Sequence, residues 1–168
     1  MKNPILTLFL IAGTLYSCSP SSTESTAALQ LENNKKLVVT FFEEVINNKK
    51  FELLEDLFSL DYIQHSGDMN GKDRQGIKDG SNLKFIKYML QALPDLHYTV
   101  HDVTAEGDIV AINLSGLATH QKEFLGFEAS GNKVAYRVMY FYKVVDGKIV
   151  EGTGLINMEL VKNQLKKE

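Results

Sequence analysis

A single cysteine, Cys18, is all the chain carries in 168 residues. No intramolecular disulfide can form, and zinc or iron–sulfur sites built on cysteine are excluded, so the chain must be stabilised by packing. Blocks of basic residues are also missing: 18 Lys and Arg stand against 21 Asp and Glu, a formal charge of −3. That balance argues against nucleic acid as a partner and against a purely electrostatic membrane contact. Nor is the N-terminal apolar stretch long enough to span a bilayer. Ile5 to Leu15 is eleven residues, where a span needs about 20.

What that stretch does fit is an export signal: Lys2 as the positive start, Ile5 to Leu15 as the apolar centre, and Leu15-Tyr16-Ser17-Cys18 as the processing site. A cysteine directly after a small residue at the cut resembles a bacterial lipobox, with Tyr16 bulkier than usual. Residues 1–17 are then a signal peptide, and Cys18 is the expected lipidation site. The expected address is the bacterial cell envelope, with contact to the membrane only through the lipid. The alternative is an ordinary cleaved signal with an incidental cysteine. Processing leaves 151 residues and a charge of −4, enough for one domain with its own core.

Residues 18–30 read as lipidated cysteine and flexible tether, because Ser19 to Ala28 has no apolar period. From about Leu31 to Glu168 the pattern is that of a domain. Val38, Phe41, Phe42 and Val45 recur at helical spacing, with Asn33 or Asn34 as expected N-cap. Phe51, Leu54, Leu57 and Phe58 mark a short second helix, and Asp61 to His65 a brief strand. A third helix, capped by Ser81 or Asn82, carries Leu83, Ile86, Met89, Leu90 and Leu93 and stops at Pro94-Asp95. From Leu96 the period becomes two, with strands expected at Leu96–His101, Ile109–His120, Val134–Val145 and Lys148–Asn157. Asp146-Gly147 between the last two is a strong hairpin signal. Helices first and a bent antiparallel sheet afterwards give an α+β fold.

A two-residue turn pairs Val145 with Lys148. Carried outward without a bulge, that register sets Tyr142 opposite Glu151, Tyr140 opposite Thr153, Val138 opposite Leu155 and Tyr136 opposite Asn157. The expectation is one shared face with phenols, a carboxylate, a hydroxyl and an amide, suited to an apolar pocket with a few polar groups; a solvated face is the other reading. His120 has the parity of Val110, Ile112 and Leu114. It is either a hydrogen-bonded core histidine or a pocket group exchanging protons near neutrality, and His65 is open in the same way. His97 and His101 are expected to face water.

Five segments carry a family resemblance. Tyr62-Ile63-Gln64-His65 is similar to the opening strand of the SnoaL-like polyketide cyclase and ester cyclase family, and Leu93-Pro94-Asp95-Leu96 resembles its Phe-Pro-Asp-Leu signature. Thr119-His120, Phe124, Gly126 and Ser130-Gly131 resemble its Thr-His to Thr-Gly segment. Asp146-Gly147-Lys148-Ile149-Val150-Glu151 resembles its last hairpin, and Gln164-Leu165 its closing pair. The resemblance covers roughly residues 32 to 166. It implies a nuclear-transport-factor-2-like cone, with about three N-terminal helices in a strongly curved antiparallel sheet around a pocket. It also implies intramolecular aldol ring closure without metal or cofactor, and fold relatives with other reactions or with binding alone.

Three positions depart from the family pattern: Ala118 for glycine, Thr153 for tryptophan and Asn157 for an aspartate. A neutral amide cannot shuttle a proton. The expected candidates are therefore His120 or His65 as the base, with the Asn157 amide hydrogen-bonding the developing enolate oxygen, and Tyr136, Tyr140, Thr153, Glu151 and Gln64 for holding a small apolar or carbonyl ligand. Three functions stay open: cofactor-free proton abstraction or ring closure, an inactive envelope-anchored binding module, and an interaction protein pairing as a homodimer through Met139, Phe141 and Val150.

Overall fold

The computed structural model describes residues 22–66, 73–78 and 80–167. The signal segment and Cys18 lie outside the described residues. The first helix, α1, runs Ser22–Thr40 and widens into a π-helical stretch, Phe41–Asn47. It therefore starts well before the expected caps. Asn33 and Asn34 are interior, and the part of the expected tether that is described, from Ser22, is helical. Residues 25–30 are exposed all round, so no apolar stripe announces that extension, and the missing period misleads the reading. Val38 is the first fully buried apolar residue of the helix, and Phe41, Phe42, Val45 and Ile46 are all buried.

A short 3₁₀ turn, Phe51–Leu53, leads into α2, Leu54–Leu57. Strand β1 covers Phe58–His65 and pairs with the two-residue β2, Arg74–Gln75. Helix α3, Ser81–Ala92, is preceded by Gly80 in the left-handed conformation and has no side-chain cap, so neither Ser81 nor Asn82 serves as one. The strands β3 (His97–Glu106), β4 (Ile109–Thr119), β5 (Lys133–Val145) and β6 (Lys148–Ile156) follow, and α4, Met158–Leu165, closes the chain. His97 and His101 are exposed.

The six described strands form one sheet in the order β2-β1-β6-β5-β4-β3. All its pairings are antiparallel except β1 with β6, which run parallel although four strands separate them in sequence. The helices lie in the hollow of this curved sheet. Val110, Ile112, Leu114, Val134, Val138 and Ile149 meet Val38, Phe42 and Val45 in one continuous core.

Asp146 and Gly147 both have positive φ, 49° and 73°, as the two-residue turn requires. Val145 pairs with Lys148 as expected, but a bulge follows: Val144 pairs with Ile149, and Lys143 with Glu151, skipping Val150. Every later pair is displaced by one. Tyr142 faces Gly152, Tyr140 faces Gly154 and Val138 faces Ile156. Glu151 and Thr153 therefore leave the tyrosine face and pair with Lys143 and Phe141 on the other side of the sheet.

Candidate functional site

The bulge puts glycines where the tyrosines need room. A β-carbon on Gly152 would come within 2.7 Å of Tyr142 Cε1, and one on Gly154 would collide with the Tyr140 ring. On the next strand pair Gly116 faces Tyr136, where a β-carbon would stand 2.7 Å from Cζ. Three phenols are thus seated on three cross-strand glycines, and the Tyr140 and Tyr142 rings stack at 5.5 Å. Large side chains on one strand and none on its neighbour let the concave face hold rings and still leave space.

That space is a cavity of about 870 Å³. Phe41, Phe42 and Ile46 of the first helix and Phe85, Ile86 and Met89 of α3 form apolar walls, facing Tyr136, Val138, Tyr140 and Tyr142 of β5. Deep in it, the hydroxyls of Tyr98 and Tyr136 are 2.8 Å apart. Burial pushes the pKa of Tyr98, Tyr136 and Tyr142 up, Tyr98 and Tyr142 furthest. Polar groups line the cavity elsewhere: Gln64, His65, Ser66, Asn82, Asn157 and Lys162.

His65, the last residue of β1, is the histidine the structure brings to this cavity. Its Nε2 is 2.9 Å from Glu151 Oε2 and its Nδ1 2.9 Å from Asp73 Oδ2. The hydrogen bond to Glu151 and then that to Asp73 raise its pKa, and both carboxyls are lowered. Asp73 also accepts the Ser66 backbone N–H. Glu151 lies 3.7 Å from Lys143 Nζ, which reaches Asp108 at 3.9 Å. Glu151 thus meets the imidazole from the outer face. Gln64 accepts the Tyr62 hydroxyl at 2.6 Å and donates to the Gly152 carbonyl at 3.0 Å, so its amide is committed to the wall.

Asn157 stands at the cavity rim as the N-cap of α4, where its Oδ1 accepts the Leu160 N–H at 3.0 Å. Thr153 is turned outward by the bulge. His120 is fully buried and does not line the cavity. Its Nδ1 accepts the Ser130 backbone N–H at 3.3 Å and lies 3.0 Å from Ser130 Oγ. His120 is therefore on the core side of the two readings left open, and the structure does not bring it together with the phenols.

Sequence reasoning passed over Tyr98 and Asp73. Tyr98 shared the apolar parity of Leu96 and Val100, a signal available but read only as core. Asp73 sat in a polar loop with no period. Among the described residues, no three His, Cys, Asp or Glu side chains converge as a metal site would require, and no helix is long and apolar enough to cross a membrane.

The model of the SnoaL-like polyketide cyclase family matches residues 36–165. AclR from Streptomyces galilaeus, proposed to be a hydroxylase, is 27% identical over 80% of this chain and 96% of its own, with a TM-score of 0.70. IdmH from Streptomyces antibioticus, proposed to be a polyketide cyclase, is 24% identical over 79% of this chain and 97% of its own, TM-score 0.67. A protein from Jannaschia sp. CCS1, assigned as a SnoaL-like polyketide cyclase, is 19% identical over 80% of this chain and 92% of its own, TM-score 0.73. No curated protein matches the chain.

Proposed function

Because the chain belongs to the SnoaL-like polyketide cyclase family, we propose that its cavity takes a small, largely apolar carbonyl compound and moves a proton on it without a cofactor. Enolisation and intramolecular aldol ring closure are the reactions that fit. The carrying observation is His65: a residue that lines the cavity, its imidazole held between Glu151 and Asp73 at 2.9 Å each. Asp73 is the more exposed carboxylate, 53% against 42%, so its contact opens at less cost. Nδ1 then becomes the exchanging nitrogen, while Glu151 keeps the ring oriented from Nε2. A positioned acid or base of this kind is worth about 10²–10⁴ in rate.

The test is α-proton exchange of 2-tetralone in D₂O, followed by NMR. We expect saturable exchange above the buffer rate, reduced about 100-fold or more in His65→Gln. Saturable binding with exchange at the buffer rate would instead support the second reading, a binding module without turnover. What favours that reading is Asn157, which stands where the family has an aspartate and whose Oδ1 is spent on the α4 cap.

The address belongs to the same proposal. Export and acylation at Cys18 predict that the protein made in a bacterial host partitions into detergent, and that Cys18→Ala returns it to the aqueous phase. A wild-type protein found only in the aqueous phase would rule out the lipid anchor.

A further inference from the structure

The Tyr98–Tyr136 pair holds one hydroxyl proton more than it uses. Each phenol has one O–H to give, and a single contact of 2.8 Å joins the two oxygens. One proton lies in that contact. The second has no other acceptor among the described residues, although both side chains are buried, at 5% and 8% exposure. Buried polar hydrogens are rarely left without an acceptor, and this one belongs to two side chains that line the cavity.

The two oxygens are also fixed from opposite sides. The Asn47 amide, at the end of the first helix, donates to the Tyr98 carbonyl at 2.9 Å and accepts the Tyr98 N–H at 2.8 Å. This clamps the edge strand β3 at the residue concerned. Across the sheet, Tyr136 rests on Gly116, where a β-carbon would come within 3.0 Å of the phenol oxygen itself. Phe42 meets the Tyr98 ring edge to face at 5.4 Å. Donors held in this way do not have to reorganise when charge appears beside them, the condition under which hydrogen bonds stabilise a developing oxyanion most.

We propose that Tyr98 and Tyr136 together form a two-phenol donor site for the ligand's carbonyl oxygen, and that they favour the enol or enolate form of that oxygen over a neutral ether or hydrocarbon. This rests on the reading of the cavity as a carbonyl pocket and supplies the residues that would hold the oxygen. Burial raises both phenol pKa values, so the pair stays protonated and remains a donor as the ligand ionises. Asn47 and Gly116 act through the two tyrosines as positioning residues.

Fluorescence titration of the purified protein with naphthalene, 2-naphthol and a nitrile-substituted, more acidic 2-naphthol tests this directly. Affinity should rise along that series, by about tenfold or more from hydrocarbon to naphthol. In Tyr98→Phe/Tyr136→Phe the series should flatten while naphthalene affinity is kept, which also shows that the cavity survives the substitutions. Equal affinity for all three in the wild type would overturn the donor site and leave the pocket reading intact. A series that stays steep in the double variant would overturn it too. Failure of all three to bind would sink the pocket reading, and this inference with it.

Discussion

The ring of Tyr142 fills the place where a side chain on Gly152, its partner across β5 and β6, would have to stand. The Tyr62 hydroxyl crowds the same point from β1. Gly152 is buried and hemmed in by two rings, so Gly152→Ala should overpack the core and cost about 1–3 kcal/mol, read from urea unfolding. Gly154→Ala meets the partly buried Tyr140 ring on the cavity side. It should disturb stability less and ligand affinity more. Equal stability loss from both, with binding untouched, would show that Gly154 is a core position and not a seat beside the cavity.

The His65 contacts give stability a defined pH window. The raised His65 pKa means its contribution is complete below the unfolded value of 6.5 and is lost as pH rises through the folded one. For Glu151 the pKa is lowered, so its contribution is complete above the unfolded value of 4.5 and lost as pH falls through the folded one. The stability difference between wild type and His65→Gln should therefore peak between 4.5 and 6.5 and shrink on either side. NMR titration should place the His65 midpoint above 6.5 in the wild type and lower it in Glu151→Gln. A midpoint unmoved by that substitution would mean the contact contributes nothing in solution.

The helices, the strands and the hairpin turn were legible because apolar period and Asp-Gly turn chemistry are local signals. The register beyond Val144 was not. A bulge spends one residue, Val150, and nothing in the sequence marks which residue is spent, yet that one residue moved Glu151 and Thr153 to the opposite face. The candidate site was half legible for the same reason. His65, left open between core and pocket, and Tyr136 both line the cavity, while the carboxylate bonded to His65 Nε2 reaches it from the outer face. His120 had the right parity but sits too deep to line the cavity, and parity along a strand carries no information on depth.

Asn157 has a structural role as the N-cap of α4. With Oδ1 on the Leu160 N–H, Asn157→Ala should cost about 0.5–2 kcal/mol through the lost cap. Asn157→Asp should keep the stability, since aspartate caps equally well and its charge suits a helix N-terminus. Urea unfolding of both variants decides this; an alanine variant as stable as wild type would remove the capping role.

On the convex face, Met139 pairs with Leu155 and Phe141 with Thr153, leaving Met139, Leu155 and Phe141 about half exposed. Homodimer formation through this patch would explain an apolar cluster on an otherwise polar face. Sedimentation should then give twice the monomer mass, and Met139→Lys with Phe141→Lys should return it to one. A wild-type monomer at all concentrations would end the pairing idea.

His120 separates packing from chemistry. The Ser130 backbone N–H can only donate, so Nδ1 must accept it, which places the neutral ring's proton on Nε2. That nitrogen is buried with no hydrogen-bond partner among the described residues. The ring pins the start of the β4–β5 loop, where His120 N–H also donates to Asn132 O and Gly131 N–H to His120 O, both at 2.9 Å. His120→Asn removes volume and the Nδ1 acceptor together, and should lower stability by about 2 kcal/mol or more. Proton exchange of 2-tetralone per folded molecule should nevertheless stay within about threefold of wild type, because the ring does not line the cavity. A fully folded variant with exchange reduced about 100-fold, the scale of a lost acid–base group, would return His120 to the reaction.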